Sequence, residues 1–160
     1  MKNNGDSHEE HEHIIKDAKD SFHKLSKWTD AYAMKWGITF QAFMLLDYLY
    51  EHNDHVEAAE AADELTIHRP TMTALLDGLE KKGVLTRSPH PQDRRRKLIR
   101  LTKVGYKKIQ LIKAESQGLE KIALSLMGES EMRHLITLMN KNNKSFEYAI
   151  KTYKGPFTQF

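Results

Sequence analysis

The sequence predicts a mainly α-helical chain with one small β-hairpin, an α+β fold in which the strands are a minor part. Three observations carry this. Apolar residues recur at spacings of three and four through most of the 160 residues, which is the period of amphipathic helices. The period changes to two only where VLTRS (Val84–Ser88) and KLIRLT (Lys97–Thr102) flank a loop with two prolines. The segments follow the order helix, helix, short helix, helix, hairpin, helix, helix, with no internal repeat and no low-complexity linker.

Residues 1–12 read as an acidic, histidine-rich tail in which Asp6, Glu9, Glu10 and Glu12 outweigh Lys2. Over residues 13–37 the seam Ile15, Ala18, Phe22, Leu25, Thr29, Tyr32 and Trp36 marks a long amphipathic helix. Gly37 is its natural stop, because glycine tolerates the left-handed conformation of a helix end. Thr39 is placed to cap the strongly apolar FQAFMLLDYLYEH. VEAAEAADEL (Val56–Leu65) has high helix propensity. After a break at Thr66–Arg69, Pro70 opens PTMTALLDGLEKKG, since a first-turn proline loses no hydrogen bond. This helix turns Met72, Leu75, Leu76 and Leu79 inward, and Gly83 closes it. The helical period returns from about Lys103 at Tyr106, Ile109, Ile112, Leu119, Ile122 and Leu126. Gly128 and Ser130 mark a turn and a cap before a last helix carrying Met132, Leu135, Ile136, Met139, Phe146 and Ile150.

Composition narrows the function classes. Charged residues make up 29% and hydrophobic ones 39%, so the chain can build a core rather than stay disordered. No apolar run reaches the ~18–20 residues of a membrane span, and the polar N-terminus lacks the apolar stretch of a signal peptide. The absence of cysteine excludes disulfides and thiol chemistry and fits a reducing, cytoplasmic setting. Catalysis finds no support: there is no Cys nucleophile, no G-x-S-x-G, no phosphate-binding glycine loop and no HExxH. No cofactor is expected.

Charge is distributed unevenly around a net +3. From Arg87 to Arg100 there are five Arg and one Lys against one Asp. Such crowding is repelled unless it meets an anion, and basic hairpin loops are otherwise plain solvated turns. Here the block follows two helices joined by a four-residue break, which is a winged helix-turn-helix pattern. In that geometry the start of the second helix enters the major groove of double-stranded DNA, with Arg69, Thr71 and Thr73 outward. The loop arginines Arg94, Arg95 and Arg96 would face phosphates or a narrow minor groove. Asp93 is placed to hold one arginine by a paired hydrogen bond, and Arg87, which opens the basic block, is counted among the DNA-facing cations.

The stretch from Ile38 to about Gln110 resembles the MarR family of bacterial winged-helix transcriptional regulators. The resemblance rests on ITFQAFMLLDYL, AADELTIHRPTMTALLDGLEKKGVLTR and PQDRRRKLIRLTKVGYKKI, and most specifically on LEKKGVLTR followed by DRRRKLIRLT. It implies a winged helix-turn-helix DNA-binding domain over residues 38–103. N- and C-terminal helices (13–37 and 104–160) would interlock in a triangular homodimer on a pseudo-palindrome. It places recognition contacts on His68, Arg69, Thr71, Met72 and Thr73, and the wing's acidic-x-Arg motif on Asp93 and Arg95 with Arg94 between. His68 stands where the family usually has a serine cap, and Thr66 where it commonly has a turn glycine. The resemblance also implies a small anionic or aromatic effector, bound between the dimerisation helices and the head, that releases DNA.

The terminal seams support self-association independently. Ile15, Phe22 and Leu25 at one end, with Leu135, Met139, Phe146 and Ile150 at the other, exceed what a winged helix needs and call for a partner surface. The alternative is that they pack on each other within one chain. Trp28, Tyr32, Trp36, Phe40 and Phe43 could line an effector cleft, although such residues more often form plain interface core. His8, His11 and His13 among glutamates are weak candidates for a metal-responsive site. The leading expectation is a sequence-specific regulator, acting as a repressor. The alternatives are a winged-helix module that binds protein and a metal-responsive regulator using the N-terminal histidines.

Overall fold

A computed structural model describes residues 4–52, 56–93 and 95–155, with side chains described from residue 9 onward. The elements are α1 (Asn4–Lys35), α2 (Phe40–Glu51), β1 (Val56–Glu57), α3 (Ala58–Glu64), α4 (Arg69–Lys81), β2 (Leu85–Pro89), β3 (Lys97–Leu101), α5 (Lys103–Met127) and α6 (Glu129–Thr152). The chain forms two compact units, one up to Ile112 and one from Lys113 onward. The fold is the expected one, helices with a small antiparallel wing.

Three helices of the first unit end in the same way, and the ends explain the core. At the end of α1, Gly37 N–H donates to Met34 O and Ile38 N–H to Ala33 O. At the end of α3, Thr66 and Ile67 make the matching bonds to Asp63 O and Ala62 O; at the end of α4, Gly83 and Val84 make them to Glu80 O and Leu79 O. This paired pattern satisfies the last carbonyls and needs one residue at positive φ. That residue is Gly37 (φ 69°), Thr66 (φ 53°) or Gly83 (φ 67°). The apolar residue that follows, Ile38, Ile67 or Val84, drops into the core. Lys108 Nζ and Lys82 Nζ then donate to Trp36 O and Gly37 O, at 2.7 and 2.8 Å, placing cations at the negative end of α1.

The buried core lies between Ala33 and Ile112, and Leu45, Leu46, Leu49, Leu85, Ile99, Ile109 and Ile112 are its fully buried large side chains. Thr39 caps α2 as expected, its hydroxyl accepting the Ala42 N–H at 3.1 Å. Thr102 Oγ1 accepts the Gly105 N–H at 3.1 Å and itself donates to Gly83 O at 2.7 Å, tying the start of α5 to the end of α4. Gly105 is required there, because a Cβ would lie 2.0 Å from Val84 O.

Three local expectations change. Val56 and Glu57 are not helical: they form a third strand, in the order β1-β3-β2, with Val56 opposite Ile99 and Glu57 opposite Leu98. A two-residue strand is too short to show alternation. Helix α1 runs back to Asn4 through the residues read as a tail; a polar helical segment has no apolar seam to reveal it. Helix α6 starts at Glu129 with Gly128 at the cap position, so Ser130 lies inside the first turn. Among the described residues, no helix is long and apolar enough to cross a membrane.

Candidate nucleic-acid interface

The left-handed turn at Thr66 directs α4 away from α3 and brings His68 and Arg69 to the surface. His68 occupies the cap position of α4 without a side-chain cap bond. Arg69, Thr71 and Thr73 are exposed, and Thr73 Oγ1 donates to Arg69 O at 3.0 Å. Met72 is corrected. It is 2% exposed and belongs to the core, so it cannot also present its side chain to a base edge. Its place in the inward seam outweighs its place among the expected contacts.

Arg69 does not point freely into solvent. One of its terminal nitrogens donates to both oxygens of Asp63, each at 3.0 Å, across the turn. Both side chains are exposed, so this pair is worth no more than about 1 kcal/mol and can be exchanged for another anion.

Arg87 is more firmly held. It bonds Asp77 at 2.7 Å and Glu80 at 2.5 Å through its terminal nitrogens, while its Nε and backbone N–H also reach Glu80 at 2.9 and 3.0 Å. These bonds hold the Glu80 carboxyl below its ordinary value and push the Arg87 guanidinium above its own. Arg87 therefore latches β2 to α4, with 27% of its side chain still exposed.

The wing is organised around Asp93 and Glu57. Asp93 Oδ1 accepts the Arg95 backbone N–H at 2.9 Å, and Asp93 O accepts the Arg96 N–H at 3.0 Å, closing the tip. The carboxylate thus holds an arginine's backbone, where a paired bond to a guanidinium was expected. The Arg95 side chain is exposed. Arg96 donates through Nε and Nη2 to the two carboxylate oxygens of Glu57. Arg94 lies outside the described residues.

A groove of about 440 Å³ lies between α4 and the wing, lined in part by Arg69, Thr73, Arg95, Arg96, Lys97 and Glu57. It joins the helix and wing residues into one surface on which cations outnumber carboxylates. Sequence reasoning missed the acidic partners Glu57, Asp63, Asp77 and Glu80. Only Asp77 and Glu80 carried a signal, since three residues apart they share one face of α4.

The remaining candidates are spread more widely. Tyr32, Trp36, Phe40 and Phe43 pack against the core, with the Phe40 and Phe43 rings 5.9 Å apart. Trp36 Nε1 is buried with no hydrogen-bond partner among the described residues. Trp28, 75% exposed, is not among the residues packed there. Ile15, Phe22, Leu25, Leu135, Met139, Phe146 and Ile150 are all exposed in the single chain. His13 faces Asp17 at 3.6 Å and His11 is exposed, while the His8 side chain is outside the described residues. Among the described residues, no three His, Asp or Glu side chains converge as a metal site.

A model of the MarR family matches residues 36–96. The chain is 31% identical over 117 residues to the HTH-type transcriptional regulator PapX of Escherichia coli, covering 71% of each. It is 30% identical over 88 residues to the HTH-type transcriptional repressor YetL of Bacillus subtilis, covering 54% of this chain and 53% of that one. For several curated relatives, then, the matched stretch spans only about half to two thirds of their length. Among solved structures, a MepR–DNA complex from S. aureus superposes with a TM-score of 0.73 at 27% identity, covering 79% of this chain and 96% of that one.

Proposed function

Because the chain belongs to the MarR family, we propose that it is a transcriptional regulator that binds duplex DNA through α4 and the β2–β3 wing. The observation that carries this is the groove joining Arg69 and Thr73 of α4 to Arg95 and Lys97 of the wing. A helix start and a basic hairpin on one surface fit a major groove and the phosphates beside it. The crowding of like charge in the wing is then offset by counterion release when the phosphates are neutralised. The MepR–DNA complex, similar over most of this chain, supports the same use of the fold.

The protein acts as a homodimer in this proposal, with the exposed residues of α1 and α6 covered by a second copy. Two heads related by a two-fold axis would meet half-sites about 34–36 Å apart. The regulated outcome is repression, in line with the relative described as a repressor. A small aromatic or anionic effector near Tyr32 and Trp36 would control release, and the unpartnered Trp36 Nε1 is the polar atom available to orient it.

A protein-binding winged helix is the second reading. The carboxylate partners of Arg69, Arg87 and Arg96 favour it by reducing the free positive charge. Selection of bound duplexes from a random DNA pool at near-physiological salt separates the two. A pseudo-palindromic motif with half-sites one turn apart is expected. No enriched motif, with binding that only fades steeply with salt, would put the interaction module first.

A further inference from the structure

We infer that Glu57 is a positioning residue that sets the wing by clamping Arg96, which removes Arg96 from the cations that meet DNA. This rests on the DNA-binding reading above and goes beyond it by dividing the basic wing into an anchor and a contact.

The clamp follows from the register. Glu57 lies opposite Leu98, and Arg96 stands just before the start of β3 at Lys97, two residues from that partner and so diagonal to Glu57. Diagonal neighbours in an antiparallel pair lie about 7–8 Å apart at the backbone, within reach of a Glu–Arg pair. Arg96 meets Glu57 with two guanidinium nitrogens on two carboxylate oxygens, the geometry that best fixes orientation.

The two ends of the pair differ in exposure. The Glu57 side chain is 14% exposed and that of Arg96 52%. The Glu57 carboxylate also accepts the Glu60 backbone N–H in the capping box of α3, and Arg96 supplies the positive charge that compensates this shielded group. The other side of the loop closes onto the same point. His90 N–H donates to Arg96 O at 3.1 Å, and His90 Nε2 lies 3.9 Å from Glu57 Oε1. Both ends of the hairpin loop therefore lie beside one side chain of β1, Arg96 bonded to it and His90 close by. Among the described residues the Arg95 side chain has no such tether, and its backbone is set by Asp93.

The test uses the full-length protein, a mixed-sequence duplex titrated over a range of salt concentrations, and amide exchange of the free protein. Arg95→Gln is expected to flatten the log–log salt dependence by about one unit, the loss of one phosphate contact. Arg96→Gln should keep the wild-type slope and weaken binding by one constant factor at every salt concentration. A slope that falls with Arg96→Gln as it does with Arg95→Gln would overturn the assignment.

In the free protein, Glu57→Gln and Arg96→Gln should each speed exchange in β3, and the double variant should be no faster than either. The swap Glu57→Arg with Arg96→Glu should restore protection. Additive effects of the two single changes would equally overturn the clamp. If the wild-type protein fails to bind the duplex at any salt, the DNA-binding reading fails, while the exchange cycle still decides the clamp.

Discussion

At the scale of single residues, Thr66 carries the strained backbone turn of the head. It holds the one positive φ of a non-glycine residue among those described, at the point where α3 turns into α4. A β-carbon in that conformation costs about 1–2 kcal/mol, which Gly37 and Gly83 avoid at the equivalent ends of α1 and α4. Part of the gain from glycine is returned as unfolded-chain entropy. Thr66→Gly is therefore expected to raise stability by up to about 1 kcal/mol, measured by denaturant midpoint; unchanged or lower stability would mean that the threonine side chain compensates. Residue positions of this kind were partly legible. Gly37, Gly83 and Thr39 do what their types and places predict, because a helix end is decided within a few neighbouring residues. Met72 fits both the core seam and the DNA surface by its position, and only packing decides between them.

At the scale of elements, the latch between β2 and α4 makes the wing and the recognition helix a single piece. Its chemistry has a pH signature. The Glu80 carboxyl is lowered by its bonds to Arg87, so its contribution to stability is present above its ordinary value of 4.5 and lost as pH falls through its lower folded value. Glu80→Gln should be less stable than wild type at neutral pH, and the two should converge in acid. Urea titrations from neutral pH down to strong acid, well below 4.5, measure both limits, and a difference that persists unchanged in acid would contradict the assignment. The latch also shows where legibility ended. The hairpin's alternation marked β2 and β3, but nothing local showed that Arg87 faces Asp77 and Glu80, or that Val56 and Glu57 leave the helical register to pair with β3. Those partnerships exist only in the folded head, where Arg87 and Arg96 each meet a carboxylate from another element.

At the scale of the whole molecule, the apolar seams read from the sequence remain uncovered in one chain. Helix α6 has no buried residue, and Phe146 and Ile150 are 61% and 76% exposed. Under the proposed homodimer, Phe146→Asp should weaken self-association by about 2–4 kcal/mol, as expected for an aromatic anchor. Sedimentation over a concentration series reads this as a shift toward monomer; a wild-type protein that is monomeric throughout would defeat the proposal. The third strand has a separate consequence, for the order of folding. Strands β2 and β3 are joined by a short loop and can pair early, whereas β1 reaches β3 only by closing a loop that contains α3, α4 and β2. Closing so long a loop is slow and is rewarded only when the enclosed helices are already packed. A nascent or damaged head with an unformed recognition helix would thus also lack an anchored wing.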